Sequence, residues 1–129
     1  MEATSRAKPL ADSDLTRKIF KLCEQVAGVK KLKRGANEAT KCLNRDIAEI
    51  IVLAADATPL EILLHLPLLC EDKNVPYIFV PSMAELGQAC GTTRSVISCA
   101  IIKKFGDEQY ENEIQDMKLQ VEKYYYNSN

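Results

Sequence analysis

The spacing of apolar residues alternates along the chain between a helical and an extended pattern. From Leu15 to Val26 these residues recur three or four positions apart, which places them on one face of a helix. Ser13 or Asp14 can cap the start of this helix, and Gly28 can end it. Continuous apolar runs predict buried strands instead, and they lie at 49–54, 77–80 and 96–102, with a weaker candidate at 30–33.

Capping signals predict the remaining helices. Asn37 is a good N-cap for a helix over 38–45, and Pro59 suits the first turn of another. Ser82 begins a capping box before a third helix, and Asp107 precedes an apolar stripe at steps of three and four. Because helices and buried strands alternate, we predict an α/β fold, in which a small mixed sheet lies between two helical layers of a three-layer α–β–α sandwich.

The two ends of the chain lack this patterning. Residues 1–11 are small and polar, and we expect a flexible N-terminal arm there. We expect one domain over 12–126 and a frayed C-terminus at 127–129. The sequence contains no internal repeat and no long linker, so a second domain is not expected.

The charge of the chain is nearly balanced in total but uneven in its distribution. The 129 residues include 17 lysines and arginines against 18 aspartates and glutamates, a net charge of -1. Such a balance is not typical of a domain that binds nucleic acid. Residues 1–45, however, hold 11 basic and 5 acidic side chains, whereas residues 46–129 hold 6 and 13. We therefore expect a localised basic surface in the first third of the chain.

The cysteines and the N-terminus exclude several classes of protein. Five cysteines without CxxC spacing and a single histidine, His65, favour neither a zinc site nor a disulfide framework, so we expect no metal and no cofactor. Free thiols favour a reducing compartment. The N-terminus lacks the apolar core of a signal peptide, and no apolar run approaches the ~20 residues that span a bilayer. We expect no association with a membrane.

The motifs of common enzyme families are missing from the sequence. There is no GxSxG, P-loop or GxGxxG pattern. His65 lies in an apolar stretch, where a structural role is the simpler interpretation, and helix-start charge explains Asp56 and Glu61. A Cys–His nucleophile pair stays open, because such partners meet in space rather than in sequence. We expect a protein that is not an enzyme.

A basic run that leads through glycine into a helix is the most informative segment. The first turn of a helix offers free N–H groups to anions, and Gly35 lets a ligand approach the backbone closely. Four cations of this segment can neutralise phosphates: Lys33, Arg34, Lys41 and Arg45. Glu38 would repel a phosphate but can accept hydrogen bonds from a base edge, and Asn37 can both donate and accept. An N-cap and a helix-dipole partner explain Asn37 and Glu38 equally well.

Two segments resemble a known family. The segment RGANEATK at 34–41 resembles the signature of the kink-turn RNA-binding ribosomal-protein family. The segment AADATPLEILLHLPLLCEDKNVPY at 54–77 is similar to the branch of that family shared by the spliceosomal U4 small nuclear ribonucleoprotein and the box C/D small nucleolar ribonucleoproteins. The resemblance extends from about Pro9 to the last helix and implies an α–β–α sandwich.

The resemblance implies a non-enzymatic protein that binds and stabilises a kink-turn, in which tandem sheared G·A pairs adjoin a loop with one flipped-out nucleotide. The implied RNAs are U4 snRNA and the box C/D snoRNAs, and the implied protein partners are snRNP and snoRNP assembly proteins. The implied role is to nucleate assembly for pre-mRNA splicing and for rRNA processing and modification. The implied location is the nucleus, including the nucleolus. A monomer is sufficient to bind one such motif.

Matching positions imply the roles of single residues. Asn37, Glu38 and Lys41 would contact the guanines of the sheared pairs, and Gly35 would permit close approach there. Three cations would hold the RNA backbone: Lys33, Arg34 and Arg45. The segment 91–97 matches the second RNA loop of the family. The implied binding residues around the flipped base are Ile62, Arg94, Val96 and Ile97.

Some positions depart from the family pattern and leave other functions open. Asp46 stands where glycine is common, and Asp tolerates the left-handed conformation of a helix end. Pro81 and Met83 replace basic residues, and the Pro81-Ser82 pair resembles the box H/ACA branch. A box H/ACA or ribosomal large-subunit kink-turn protein is therefore the alternative. A protein-interaction adaptor and a small hydrolase that uses His65 are further hypotheses, with less support.

Overall fold

The computed structural model describes residues 7–127 of the chain, and the side chains of residues 7–125. Its helices and strands alternate as the apolar pattern predicts. In chain order the elements are α1 (Ser13–Gly28), β1 (Leu32–Arg34), α2 (Ala36–Asn44), β2 (Ala48–Ala54), a 3₁₀ turn (Leu60–Leu63), α3 (His65–Lys73), β3 (Tyr77–Val80), α4 (Met83–Ala89), β4 (Ser98–Ile102) and α5 (Glu111–Asn127).

The four strands form one mixed sheet in the order β1-β4-β2-β3. β2 and β3 are parallel, whereas β4 is antiparallel to both of its neighbours, β1 and β2. β4 begins at Ser98 rather than at Val96, because Val96 and Ile97 belong to the loop before it. β1 therefore lies at one edge of the sheet, and no strand between residues 7 and 127 pairs with its outer side.

Alternate residues of the strands pack into two separate cores. In β2, Ile50 and Val52 contact the cluster that includes α1, α4 and α5. Ile51 and Leu53 point the other way and contact the cluster that includes α2, the 3₁₀ turn and α3. Both faces of β2 are buried, as a continuous apolar run predicts. The predicted three-layer α–β–α sandwich is confirmed.

Two of the predicted helix caps are wrong, and one is confirmed. The N-cap of α1 is Asp12, whose Oδ1 accepts a hydrogen bond from Leu15 N at 2.8 Å, rather than Ser13 or Asp14. The N-cap of α2 is Gly35 rather than Asn37, because a φ of 100° at Gly35 turns the chain directly from β1 into the helix. Ser82 caps α4 as predicted, and its Oγ accepts from Glu85 N at 3.1 Å.

A buried lysine explains why the last helix starts later than predicted. Asp107 was a candidate helix start, but α5 begins at Glu111. The ammonium group of Lys31, which is 1% exposed, donates to the carbonyl oxygens of Asp107 and Gln109 at 2.7 and 2.6 Å. These bonds hold 107–110 as a turn. The predicted apolar stripe of α5 is confirmed, and it packs in the core through Ile114, Met117 and Val121.

The described part of the N-terminal arm lies against the sheet. Phe79 N donates to Pro9 O at 2.8 Å, and Ala11 N donates to Phe79 O at 2.9 Å, so residues 9–11 run alongside β3. A loose arm was expected over 1–11, and this part of it is instead paired with the edge of the sheet. Residues 1–6 and 128–129 lie outside the described residues. Between residues 7 and 127, no helix is both long enough and apolar enough to span a membrane.

Candidate nucleic-acid interface

The N-terminus of α2 is open to a ligand. Gly35 N donates to Ser98 O at 2.7 Å, and this bond joins the start of α2 to the start of β4. The first backbone bond of the helix runs from Ala39 N to Gly35 O at 3.0 Å. Within the described chain no side chain caps this helix, so the N–H groups of residues 36–38 are available to an acceptor.

An open cavity of about 640 Å³ lies between this helix start and the loop at 91–97. Its lining on one side is Arg34, Gly35 and Ala36, and on the other side Thr92, Arg94, Ser95, Val96 and Ile97. The structure thus brings together five of the predicted site residues from two distant segments. We call this cavity the α2 pocket.

The loop at 91–97 is attached to α4. Thr92 N donates to Gly87 O at 3.1 Å, and Val96 N donates to Met83 O at 3.0 Å. Gly87 is buried in the interior of α4, and a Cβ at this position would lie 2.0 Å from Arg94 O. Only glycine allows this approach. Sequence reasoning missed Gly87, although a glycine inside a predicted helix is costly and indicates a packing reason.

The exposed side of α2 carries the other predicted residues. Asn37, Lys41 and Arg45 are exposed, and Glu38 is half-buried. Lys41 Nζ lies 3.5 Å from Glu38 Oε2, so this cation is partly neutralised. These side chains extend the candidate interface along α2 from the α2 pocket.

Charged side chains near α2 affect the pKa of the Cys42 thiol. Burial raises the pKa of Cys42, and the negative charge of Glu38 raises it further. The positive charges of Lys33 and Arg45 lower it. Lys33 on β1 and Arg45 after α2 are therefore both near enough to α2 to act on the same thiol.

Ile62 is on a different element from these residues. It lies on the 3₁₀ turn after β2 with 47% of its side chain exposed, and it is not among the residues that line the α2 pocket. His65 is exposed at the start of α3, where its Nε2 lies 3.2 Å from Thr40 Oγ. Thr40 Oγ donates in turn to Ala36 O at 2.9 Å, so His65 joins α3 to α2. This contact agrees with the structural role expected for His65.

The remaining candidate groups have structural partners. Asp56 Oδ1 accepts from Met83 N at 2.8 Å at the start of α4, in agreement with a helix-start role, though for a different helix from the one predicted. Asp46 has the left-handed φ of 57° that its position predicts, and Lys73 lies 3.7 Å from its carboxylate. All five cysteines are free and buried. Over residues 7–127, no group of His, Cys, Asp and Glu side chains is arranged to hold a metal ion.

Comparison with known proteins identifies the family. The model of the ribosomal protein L7Ae/L30e/S12e/Gadd45 family matches residues 17–110. The chain is 61% identical over 118 residues to the small nuclear ribonucleoprotein associated homolog 13 of Caenorhabditis elegans, with 92% of this chain and 91% of the relative covered. It is 57% identical over 122 residues to NHP2-like protein 1 of Xenopus tropicalis, with 95% and 94% covered.

A solved structure agrees with the sequence relatives. The 15.5kD RNA binding protein of Giardia lamblia superimposes with a TM-score of 0.86 at 42% identity, and the match covers 92% of this chain and 97% of that one. None of the three names denotes an enzyme, in agreement with the expectation of a non-enzymatic protein. On these matches, the chain belongs to the ribosomal protein L7Ae/L30e/S12e/Gadd45 family.

Proposed function

We propose that this chain is an RNA-binding ribonucleoprotein component that recognises a kink-turn. The observation that carries the proposal is the α2 pocket, where an uncapped helix start faces a loop with an arginine and two apolar side chains. Such a site offers hydrogen-bond donors, positive charge and an apolar surface within one cavity. These are the groups needed to bind a distorted RNA motif rather than a regular duplex.

The polar side of the site suits exposed guanine edges. A Watson–Crick pair occupies the N–H donors of guanine, whereas a sheared G·A pair leaves such donors free. Glu38 can accept from these donors, and Asn37 and Lys41 can contact neighbouring acceptors. The 3.5 Å contact between Lys41 and Glu38 reduces the repulsion between this carboxylate and nearby phosphates.

The apolar side of the site suits an extruded base. Val96 and Ile97 line the α2 pocket, and Arg94 lies beside them. We infer that a flipped-out nucleotide enters here, with the Arg94 guanidinium against its ring or its phosphate. Burial of one base in such a pocket is worth about 1–3 kcal/mol. We assign Ile62 to the rim of this contact, where its exposed side chain would contact RNA outside the cavity.

The names of two relatives support a role in a ribonucleoprotein. The matched proteins of C. elegans and Giardia lamblia are named for association with a small nuclear ribonucleoprotein and for RNA binding. We propose that this chain binds U4 snRNA and box C/D snoRNAs in the nucleus, including the nucleolus, as a monomer. The RNA and the exposed protein surface would together bind the next snRNP or snoRNP assembly proteins.

A mobility-shift titration tests the proposal. The first RNA contains tandem sheared G·A pairs and a three-nucleotide loop, and the second replaces these pairs with Watson–Crick pairs. We expect the first RNA to bind at least tenfold more tightly, because each lost base contact costs about 1–3 kcal/mol. Equal affinity for the two RNAs would overturn the proposal.

A matched pair of variants assigns the discrimination to α2. Glu38→Ala should reduce the ratio between the affinities for the first and second RNAs by roughly tenfold. Glu85→Ala removes an equivalent exposed carboxylate from the first turn of α4 and should leave the ratio unchanged. Lys33→Ala should weaken both RNAs and lower the salt slope by about one. A Glu38→Ala variant with the wild-type ratio would refute the role of this carboxylate.

A further inference from the structure

A second cavity lies on the other side of Arg34. This groove has a volume of about 580 Å³ and follows the outer edge of β1, between the C-terminal ends of α1 and α4. Lys30, Lys33 and Arg34 line it, together with Gly28, Gln88 and Gly91. Arg34 lines both the groove and the α2 pocket, so the two cavities meet at this residue. We call this cavity the β1 groove.

The cations of the β1 groove have no acidic partner in the described structure. Lys30, Lys33 and Arg34 are exposed, and none of them forms an ion pair within residues 7–127. Glu24 is the one carboxylate among the lining residues, so the groove keeps a net positive charge. Three unpaired cations around one groove suit an anionic chain.

Lys30 is held in the groove by a conformation that lysine rarely adopts. Its φ is 63°, in the left-handed region. Two backbone bonds fix this turn, from Lys30 N to Ala27 O at 3.2 Å and from Lys31 N to Val26 O at 2.8 Å. This left-handed conformation ends α1, at a position where glycine is the usual residue. Lys30 and Arg34 line the same groove.

Two glycines keep the groove accessible. A Cβ at Gly28 or at Gly91 would meet no atom within 4 Å, so both positions border open space. Gly91 also begins the loop that forms one wall of the α2 pocket. A polymeric ligand that leaves the α2 pocket past Arg34 can therefore enter the β1 groove, because no side chain at Gly28 or Gly91 lies in its path.

We propose that the β1 groove binds the phosphodiester backbone of the RNA strand that leaves the α2 pocket, with Lys30 as its outermost phosphate contact. This inference rests on the proposed function, because it extends the path of the same RNA. Lys30 lies outside the segment 34–41 that carries the family signature, so its contact is an addition to that signature. The backbone rather than the bases is the expected ligand, since the lining is cationic and lacks aromatic side chains.

Salt titration of kink-turn binding tests the role of Lys30. Lys30→Gly removes the charge and adopts the positive φ without strain, so the fold is retained. We expect this variant to bind roughly fivefold more weakly near 0.15 M salt and to lose about one from the slope of log K against log salt. Lys30→Arg should keep the wild-type slope. Lys21→Ala, which removes an exposed lysine of α1 that does not line the groove, should keep it too.

Phosphate ethylation interference locates the contact. Ethylation of the phosphate that contacts Lys30 should weaken RNA binding by the wild-type protein. The same ethylation should not weaken binding by Lys30→Gly any further, because this variant lacks the contact. A Lys30→Gly variant with the wild-type slope, or an identical interference pattern for both proteins, would overturn the inference. The proposed function fails separately, when the wild type does not distinguish sheared from Watson–Crick pairs.

Discussion

Replacement of Gly87 by alanine tests whether α4 fixes the loop at 91–97. The new Cβ would lie 2.0 Å from Arg94 O and 3.1 Å from Arg94 C, whereas ordinary contact begins at 3.4 Å. The loop must therefore move away from the helix by about 1.4 Å. Such a movement would break the 3.1 Å bond from Thr92 N to Gly87 O.

Two losses set the expected magnitude for Gly87→Ala. Overpacking inside a folded structure costs about 1–3 kcal/mol. Loss of the backbone bond from Thr92 N to Gly87 O costs about 1 kcal/mol. Because Arg94 and its apolar neighbours move with the loop, affinity for a kink-turn RNA should fall at the same time, by roughly tenfold if one base contact is lost.

Urea unfolding followed by circular dichroism measures the first effect, and a mobility-shift titration measures the second. Gly28→Ala is the matched control for the unfolding measurement, since its Cβ would meet no atom within 4 Å. We expect this control to be neutral or slightly stabilising, by less than about 1 kcal/mol. A Gly87→Ala protein within about 0.5 kcal/mol of the wild type and with unchanged RNA affinity would refute the reasoning.

Three further substitutions test the framework of the fold. Lys31→Ala removes a buried ammonium group that donates to two part-buried carbonyl groups and should lower the free energy of unfolding by roughly 2–4 kcal/mol in urea; a loss below about 1 kcal/mol would contradict the anchoring role of this lysine. The hydrogen bond from Gln109 N lowers the pKa of Asp107, so its carboxylate stabilises the fold above an unfolded pKa near 3.8, and this contribution is lost as the pH falls through the lower folded pKa. Thermal unfolding of Asp107→Asn should therefore depend less steeply on pH below about 4 than that of the wild type, and parallel profiles would exclude this linkage. Asp46→Gly should raise stability by about 0.5–1 kcal/mol, because glycine adopts a φ of 57° more easily and the exposed 3.7 Å contact with Lys73 contributes little; a destabilised variant would show that this contact outweighs the strain.

Buried strands were predictable because their apolar runs are continuous. β3 matches its predicted range of 77–80, and β2 begins one residue before its predicted start. The start of β4 was misplaced because Val96 and Ile97 are as apolar as the strand that follows. Their apolar character belongs to the α2 pocket and to loop packing, which a strand pattern does not distinguish from a sheet core.

Contacts between distant segments were beyond local sequence patterns. Lys31 and Asp107 are 76 residues apart, and nothing in the basic run indicates that one of its lysines is buried. Asp12, Ser13 and Asp14 all have capping side chains, so only the geometry of the chain entry selects Asp12. The charge pattern predicts the half of the candidate site on β1 and α2, whereas the half at 91–97 is predicted by the family resemblance alone.

The structure also changes the meaning of the charge balance. Lys31 is buried, Lys118 pairs with the buried Glu49 at 3.0 Å, and Lys41 lies beside Glu38. These cations are partly or wholly neutralised by the protein itself. Beside the candidate interface, positive charge that is unpaired among the described residues lies on Lys30, Lys33 and Arg34, where Arg34 joins the α2 pocket to the β1 groove. A patch of this size gives weak, salt-sensitive binding to an arbitrary duplex, because that binding scales with the number of neutralised phosphates. Under the proposed function, the remaining affinity must come from base edges and from one extruded base, so selection of a folded RNA motif follows from the small size of this patch as well as from the pocket.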